Sequence, residues 1–363
     1  MSEKNEHLVE MSQRAYQYLR EHMSEEARAE FQKILLEDPE NNYALVGLGD
    51  LERQNRDYSA AIGHYTRCLQ QHPDNNYALF GLAESYRALK QYNRAVEVWE
   101  QYLKFDQENV TVLTRVADAY RKARLFDRSR ELYQKVLELE ADNDYALIGL
   151  GHLHYDFKDF QSAQYYWKRM YDKSGAAVDI RVLTSLGNCH RKMKTYEKGI
   201  PFFEEALKRE PENFFALYGM ADCYRGMQRP KESLGYWKAI LANDPENKVI
   251  LTRIGDAHRA MDQLEEAADF YRQALNVQFD SYAALGLAVI HRNRKEYPAA
   301  ISALENLIQA EPENYRAVQE LAGCYENQRE YAAALAVLAR YIQNSRSPVK
   351  AAQRYAADLQ NRL

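Results

Sequence analysis

Histidine and cysteine have the broadest chemistry among the residues of this chain, because they act as metal ligands, proton carriers and nucleophiles. Four histidines, His154, His190, His258 and His291, at first suggest a site. Each lies in a separate segment of the chain, however, in a position that a tyrosine fills in the corresponding segments. We therefore expect aromatic core positions in which each imidazole bonds a local partner.

The cysteines follow the same logic. Cys189, Cys223 and Cys324 share the position beside the histidine slot, and no CxxC pair is present. We therefore expect buried, reduced thiols in a cytoplasmic protein. The chain also lacks the motifs GxxxxGK[ST], GxGxxG, HExxH and GxSxG. We predict no catalytic residues, no metal site and no cofactor, so the protein is not expected to be an enzyme.

A charged pattern is more informative. An acid followed three residues later by arginine recurs five times, and such residues are neighbours on a helix. We call these pairs the acid–arginine ladder: Asp50/Arg53, Glu84/Arg87, Asp118/Arg121, Asp222/Arg225 and Asp256/Arg259. Arg191 and Arg292 are weaker members, and His152 and Tyr155 replace the acid and the arginine near the middle.

Aromatic residues share the ladder's stripe, and we single out Tyr77, Phe80, Tyr145 and Tyr218. In a structural interpretation, the ladder pairs neutralise each other and connect neighbouring helices. In a functional interpretation, the guanidiniums and aromatic rings bind carboxylates and apolar side chains of a partner peptide. We favour the functional interpretation because arginine is suited to bidentate capture, and both remain open.

An internal repeat sets these positions. NNYALVGLGD at 41–50 recurs as NNYALFGLAE at 75–84 and as NDYALIGLGH at 143–152. A small residue recurs ten times, and seven of the nine intervals are 34 residues: Ala27, Ala61, Ala95, Ser129, Ala163, Gly199, Ser233, Ala267, Ala300 and Ala334. Apolar spacing predicts two helices in each repeat. One such hairpin cannot bury its apolar face alone, so the stack must bury it collectively.

The repeats resemble tetratricopeptide repeats. One unit matches the family pattern at Leu45, Leu48, Gly49, Tyr58, Ala61, Tyr65 and Pro73. The resemblance implies a right-handed superhelix whose concave groove is lined mainly by the first helix of each hairpin. We therefore predict an all-α, right-handed α-solenoid of about ten hairpins and 21 helices, with a C-terminal capping helix.

The predicted organisation has three parts. Residues 1–7 form an N-terminal extension and residues 349–363 the capping helix. The ten repeats span 8–41, 42–75, 76–109, 110–143, 144–177, 180–213, 214–247, 248–280, 281–314 and 315–348. An irregular stretch at 171–201 holds two extra residues. If the chain has a hinge or a binding hot spot, we place it between His152 and Pro201.

A longer period of two hairpins is also present. Trp99, Trp167 and Trp237 share one slot at intervals of 68 and 70 residues, and Tyr133, Phe203 and Tyr271 fill it in alternate units. We interpret these rings as core packing.

Composition excludes several classes. The chain has 48 Lys+Arg and 53 Asp+Glu, a net charge of −5, which is too near neutral for a nucleic-acid binder. No uncharged apolar stretch reaches about 18 residues, so we expect no membrane insertion. The start MSEKNEHLVEMSQRAYQYLREH lacks the apolar region of a signal peptide.

We therefore predict a cytoplasmic, non-catalytic scaffold that binds protein or peptide partners in its groove. Two alternatives stay open. The chain could be a self-assembling homo-oligomer joined through residues 349–363 or the first repeat, or it could be the targeting subunit of a separate enzyme.

Overall fold

A computed structural model describes residues 3–346 and 349–362. Over these residues the chain is all-α, with 21 α-helices, one short 3₁₀ helix and no strand, which confirms the predicted fold class. Residues 1–2 of the predicted extension, residues 347–348 at the end of the tenth predicted repeat, and residue 363 of the predicted capping helix lie outside the described part.

The chain forms two compact units, Met1–Val178 and Asp179–Leu363, which we call unit 1 and unit 2. Unit 1 contains α1 Glu3–Arg20, α2 Ser24–Glu37, α3 Asn42–Gln54, α4 Tyr58–Gln71, α5 Asn76–Ala88, α6 Tyr92–Leu103, α7 Val110–Lys122, α8 Phe126–Leu139, α9 Asp144–Asp156, α10 Phe160–Ser174 and the 3₁₀ helix Gly175–Ala177. Unit 2 contains α11 Ile180–Lys192, α12 Tyr196–Arg209, α13 Phe214–Gly226, α14 Pro230–Asn243, α15 Lys248–Ala260, α16 Leu264–Val277, α17 Ser281–Asn293, α18 Tyr297–Ala310, α19 Tyr315–Asn327, α20 Tyr331–Asn344 and α21 Lys350–Gln360. The boundary falls within the irregular stretch at 171–201.

Within each unit, consecutive helices pack as antiparallel hairpins. An asparagine or aspartate caps the first helix of nine hairpins. The Asn41 side chain, for example, accepts a hydrogen bond from the Ala44 backbone N–H at 3.1 Å and donates one to Asp38 at 3.0 Å. Such caps satisfy backbone donors that the first turn leaves free, so each turn between hairpins starts its next helix at a defined residue.

The turn inside each hairpin uses the left-handed backbone region. One residue in each of the ten turns has φ between 58° and 65°, and none of them is glycine: His22, Arg56, Lys90, Arg124, Lys158, Lys194, Gln228, Asp262, Lys295 and Arg329. A non-glycine residue costs about 1 kcal/mol or more in this region. Tertiary packing therefore imposes the same closure on all ten hairpins.

The core explains the longer period. The Tyr65 ring lies between two helices, and a Cβ atom at Gly49 or Gly81 would come within 2.5 Å or 2.2 Å of that ring. The same close approach recurs where a tyrosine or phenylalanine precedes, at Gly47, Gly149, Gly219 and Gly286. In the repeats that follow Trp99 and Trp237, the position holds Arg115 and Arg253 instead. Glycine thus makes room for the tyrosine and phenylalanine rings, whereas the repeat after Trp167 holds Ser185 at this position. All six rings of the tryptophan slot are at most 2% exposed, which confirms core packing for these aromatics.

The last helix covers the end of unit 2. Ala352 and Leu359 of α21 are buried against α20, and the Tyr355 hydroxyl donates to Glu326 of α19 at 2.5 Å. The exposed positions of α21 are polar residues and alanines. The predicted capping role is confirmed.

Candidate functional site

The four histidines are local packing residues, as expected. Nδ1 of His154 lies 3.0 Å from the Asp159 carboxylate, and Nδ1 of His258 lies 2.8 Å from Oε1 of Gln263. His190 and His291 make the same contact with the residue five positions later. Within residues 3–346 and 349–362, no group of three His, Cys, Asp or Glu could hold a metal ion.

The four cysteines are free and buried, as the sequence predicted. Burial raises the pKa of the Cys189 thiol to about 12 and that of Cys68 to about 11. These thiols are therefore protonated and poor nucleophiles at neutral pH.

In unit 1, a buried tyrosine and two half-exposed arginines fix the first two ladder acids. The Tyr65 hydroxyl donates to Oδ1 of Asp50 at 2.8 Å, and Arg53 donates to the same oxygen at 3.1 Å. Arg87 forms a bidentate pair with Glu84. The acids are therefore held in place before any partner arrives.

Arg121 connects two hairpins of unit 1. It donates to Asp118 on its own helix α7 at 2.7 Å and to Asp156 on α9 at 2.6 Å. Its side chain is only 10% exposed. This arginine acts mainly as a structural tie, so the structural interpretation of the ladder fits this position.

Unit 2 contains equivalent ties. Asp222 is buried and accepts from Arg225 on its own helix and from Arg191 on α11, with each N–O distance 2.7 Å. Burial acts to raise the pKa of the Asp222 carboxyl, but the two arginines outweigh it and hold that pKa below its ordinary value. Arg292 of α17 pairs with Glu320 of α19 at 2.5 Å.

Asp256 and Arg259 repeat the arrangement that Asp50 and Arg53 form in the hairpin of α3 and α4. The Tyr271 hydroxyl donates to Oδ1 of Asp256 at 2.8 Å, and Arg259 lies 3.2 Å from that hydroxyl and 3.7 Å from the carboxylate. Every described ladder arginine thus has an oxygen partner.

His152 and Tyr155, which interrupt the ladder, both lie against the Trp167 ring, with centroid distances of 5.4 Å and 5.8 Å. An aromatic cluster therefore replaces the ion pair in this hairpin.

Of the four aromatic residues predicted to line the groove, two are packed against a tryptophan and two are exposed. Phe80 packs edge-on against Trp99, and Tyr218 against Trp237, each with ring centroids 5.0 Å apart. Tyr77 and Tyr145 are instead exposed. They belong to a row at the second residue of first helices whose members are 62% to 80% exposed: Tyr43, Tyr77, Tyr145, Phe215 and Tyr282.

Two acids that bind a ladder arginine from a neighbouring hairpin were not among the site residues predicted from the sequence. Asp156 and Glu320 lie 35 and 28 residues after the arginines that bind them. A search for acids about one repeat after each arginine would have found both. The tyrosine hydroxyls that bind Asp50 and Asp256 were also missed, although each lies 15 residues after its acid.

Comparison with known families agrees with this geometry. One tetratricopeptide repeat model matches residues 13–76, 115–176, 218–284 and 252–306, a second matches 52–114 and 293–357, and a third matches 180–213. The chain therefore belongs to the tetratricopeptide repeat family. Such repeats generally mediate protein–protein interactions and are generally non-catalytic. No curated protein matches the sequence.

Several solved structures are similar in fold. A tetratricopeptide repeat protein from Parabacteroides merdae ATCC 43184 is 16% identical, with 78% of this chain and 98% of that chain covered and a TM-score of 0.42. Yeast Tom70 is 14% identical, with 99% and 97% covered and a TM-score of 0.45. The structure titled MamA MSR-1 C2 is 17% identical, with 46% and 95% covered and a TM-score of 0.41.

Over the part of the chain that the structure describes, no helix combines the length and apolarity that crossing a membrane requires.

Proposed function

We propose that this protein is a non-catalytic scaffold that binds segments of partner proteins along its first helices, in the groove that the family resemblance implies. The observation that carries the proposal is the pairing of exposed aromatic rings with a pre-positioned charge ladder on the same helices. On α5, Tyr77, Glu84 and Arg87 follow one another at the spacing of a single helix face. The predicted cytoplasmic location stays part of this proposal.

Pre-positioning favours binding because the surface loses little conformational freedom when a partner docks. Asp50 and Asp256 are fixed by tyrosine hydroxyls, and Glu84 is fixed by Arg87. Exposed rings next to ordered charges supply both contact area and orientation for a peptide.

Half-exposed ladder arginines are the right positions for a test. Arg87 and Arg225 have side chains 33% and 48% exposed and pair with an acid on their own helix. The variant Arg87→Gln/Arg225→Gln therefore changes the surface while the tie made by Arg121 stays intact.

The test is affinity capture of proteins from the source cell's lysate. A matched control is Arg130→Gln/Arg272→Gln, which removes equivalent arginines paired with Asp127 and Asp269 on second helices. We expect the wild type and this control to retain the same partners and the ladder variant to lose them, with circular dichroism confirming the fold. Identical capture by all three proteins would contradict a role for the ladder in binding.

A further inference from the structure

Each exposed tyrosine of unit 1 follows an exposed acid closely in the sequence. Tyr43, Tyr77 and Tyr145 are each preceded, three positions earlier and one residue before the helix cap, by an exposed acid: Glu40, Asp74 and Asp142. Glu108 holds the same position before Thr111. We call these six residues, Tyr43, Tyr77, Tyr145, Glu40, Asp74 and Asp142, the acid–tyrosine edge.

Most of this edge has no partner within the described chain. The rings of Tyr77 and Tyr145 make no hydrogen bond or ring contact there, and Glu40 and Asp74 form no ion pair with any described residue. Asp142 alone is paired, at 3.2 Å with Arg169. The edge therefore presents bare aromatic faces and free carboxylates, in contrast to the ladder, whose charges are neutralised.

The cations near the edge bond backbone oxygens, and beside Asp142 two of them, Arg169 and Lys173, also bond the carboxylates of Asp142 and Asp144. Arg67 donates to the Pro39 carbonyl at 2.6 Å, Lys135 to the Gln107 carbonyl at 2.9 Å, and Lys173 to the Asp142 carbonyl at 2.8 Å. They tie the turns to the next hairpin. They leave the carboxylates of Glu40 and Asp74 available to a partner.

A tyrosine face next to a carboxylate attracts cations. Arginine stacks on aromatic faces and also forms bidentate pairs with carboxylates. The whole of unit 1 adds to this attraction, since residues 1–178 contain 23 Lys+Arg and 29 Asp+Glu, a net charge of −6, whereas residues 179–363 contain 25 and 24, a net charge of +1.

The repeat fixes the spacing that a ligand must have. Helix α3 packs against α5, and α7 against α9, so the two edge positions within each of these pairs lie about 8–10 Å apart, the usual distance between packed helices. An extended polyproline-type segment advances about 9 Å in three residues. One cation every third residue would therefore match the two edge positions of each packed pair.

We propose that the acid–tyrosine edge of unit 1 binds extended, arginine-rich protein segments with a cation at about every third residue. The inference rests on the proposed function, because it names the chemistry of a partner segment. It differs from the sequence-based expectation, in which ladder arginines bind carboxylates. Here the partner supplies the cations.

The experiment measures binding of a fluorescein-labelled peptide of five Arg-Pro-Pro triplets to the full chain by fluorescence anisotropy. We expect Tyr77→Ala/Tyr145→Ala to weaken binding about tenfold through loss of two exposed cation–π contacts. The control Phe215→Ala/Tyr282→Ala, at the same slot in unit 2, where Glu212 lies three positions before Phe215 but no acid lies three positions before Tyr282 and the unit as a whole is not acidic, should change binding less than about twofold. Asp74→Asn should weaken binding about threefold and reduce its salt dependence.

Three results would overturn the inference: no binding of the arginine peptide at 1 mM, equal weakening by the two double variants, or equal binding of a peptide of five Glu-Pro-Pro triplets. The ladder variant Arg87→Gln/Arg225→Gln separates this inference from the proposed function. If it loses lysate partners while the arginine peptide fails to bind the wild type, the groove function stands and this inference fails. If it keeps every partner while the tyrosine variant loses the peptide, this inference stands and the ladder's role fails.

Discussion

Units 1 and 2 have the same hairpin framework but different side chains at the second residue of their first helices. In unit 1 this slot holds Tyr43, Tyr77, Thr111 and Tyr145 along α3, α5, α7 and α9, and in unit 2 it holds Arg181, Phe215, Val249, Tyr282 and Arg316 along the five first helices from α11 to α19. Arg316 of unit 2 would repel the cationic segment that unit 1 attracts, whereas Arg181 is paired with Asp179. The framework is thus common, and the exposed slot decides which partner chemistry each unit suits.

The largest loss of stability should come from disturbing the core packing that both units share, and it should be similar in size in the two units. Gly149→Ala would place a Cβ atom 2.2 Å from the Tyr133 ring, and Gly219→Ala would place one 2.3 Å from the Phe203 ring. We expect each change to lower the free energy of unfolding by about 1–3 kcal/mol through overpacking, as measured by urea denaturation.

The control uses glycines that face open space. Gly63 and Gly235 have no atom within 4 Å of an added Cβ, so alanine there should stabilise a helix interior by about 0.5–1 kcal/mol. A large loss in one unit and none in the other would show that the frameworks differ.

The next effect concerns the arginines that connect hairpins. Arg121 and Arg191 have side chains 10% and 16% exposed and bind acids on the next first helix. We expect Arg121→Gln and Arg191→Gln each to lower the unfolding free energy by about 1–2 kcal/mol, while the more exposed Arg225→Gln changes it by less than about 0.5 kcal/mol. Thermal unfolding checks this order, and an equal loss at all three positions would refute it.

A pH effect should mark the Asp222 tie of unit 2. Because the folded pKa of Asp222 is lowered, its contribution to stability is complete above the unfolded pKa of about 3.9 and is lost as the pH falls through the lower folded value. The stability advantage of wild type over Asp222→Asn should therefore be constant from pH 7 to 5 and shrink below about pH 4. Urea titrations at several pH values measure it, and an advantage that instead shrinks between pH 7 and 5 would contradict the assignment.

The smallest effect would extend the unit 1 surface. Thr111→Tyr completes the tyrosine row on α7, beside the exposed Glu108. We expect affinity for the arginine peptide to rise about two- to fivefold, the value of one exposed cation–π contact, with little change in stability. Val249→Tyr in unit 2 is the matched control, and an equal gain there would remove the distinction between the units.

The sequence predicted the hairpins because their determinants recur at a fixed separation. Ala61 and Tyr65 recur with the repeat, and local helix geometry converts that spacing into one packed face. The histidine contacts were predictable for the same reason, since each spans only five residues. The asparagine caps could also have been predicted from the sequence, because each asparagine lies three residues before the backbone N–H group from which it accepts a hydrogen bond.

Spacing alone could not predict which ladder arginines bind only the acid on their own helix and which also bind an acid on the next first helix. Arg53 and Arg121 both follow an acid by three residues, yet only Arg121 also reaches an acid on the next first helix. That choice depends on helix packing across about 34 residues, which brings some acids into reach and not others. Likewise Tyr77 and Phe80 lie on one stripe, but the second packs on Trp99 and the first stays exposed.

The sequence by itself determined the repeat, the helices and the small and aromatic slots, because these depend on local periodicity and on contacts at a constant separation. Only the tertiary structure decided which charges neutralise each other and which rings stay bare, because both depend on side chains brought together from neighbouring hairpins. Arg121 forms ion pairs with both Asp118 and Asp156, whereas Tyr77 and Asp74 are left available to a partner.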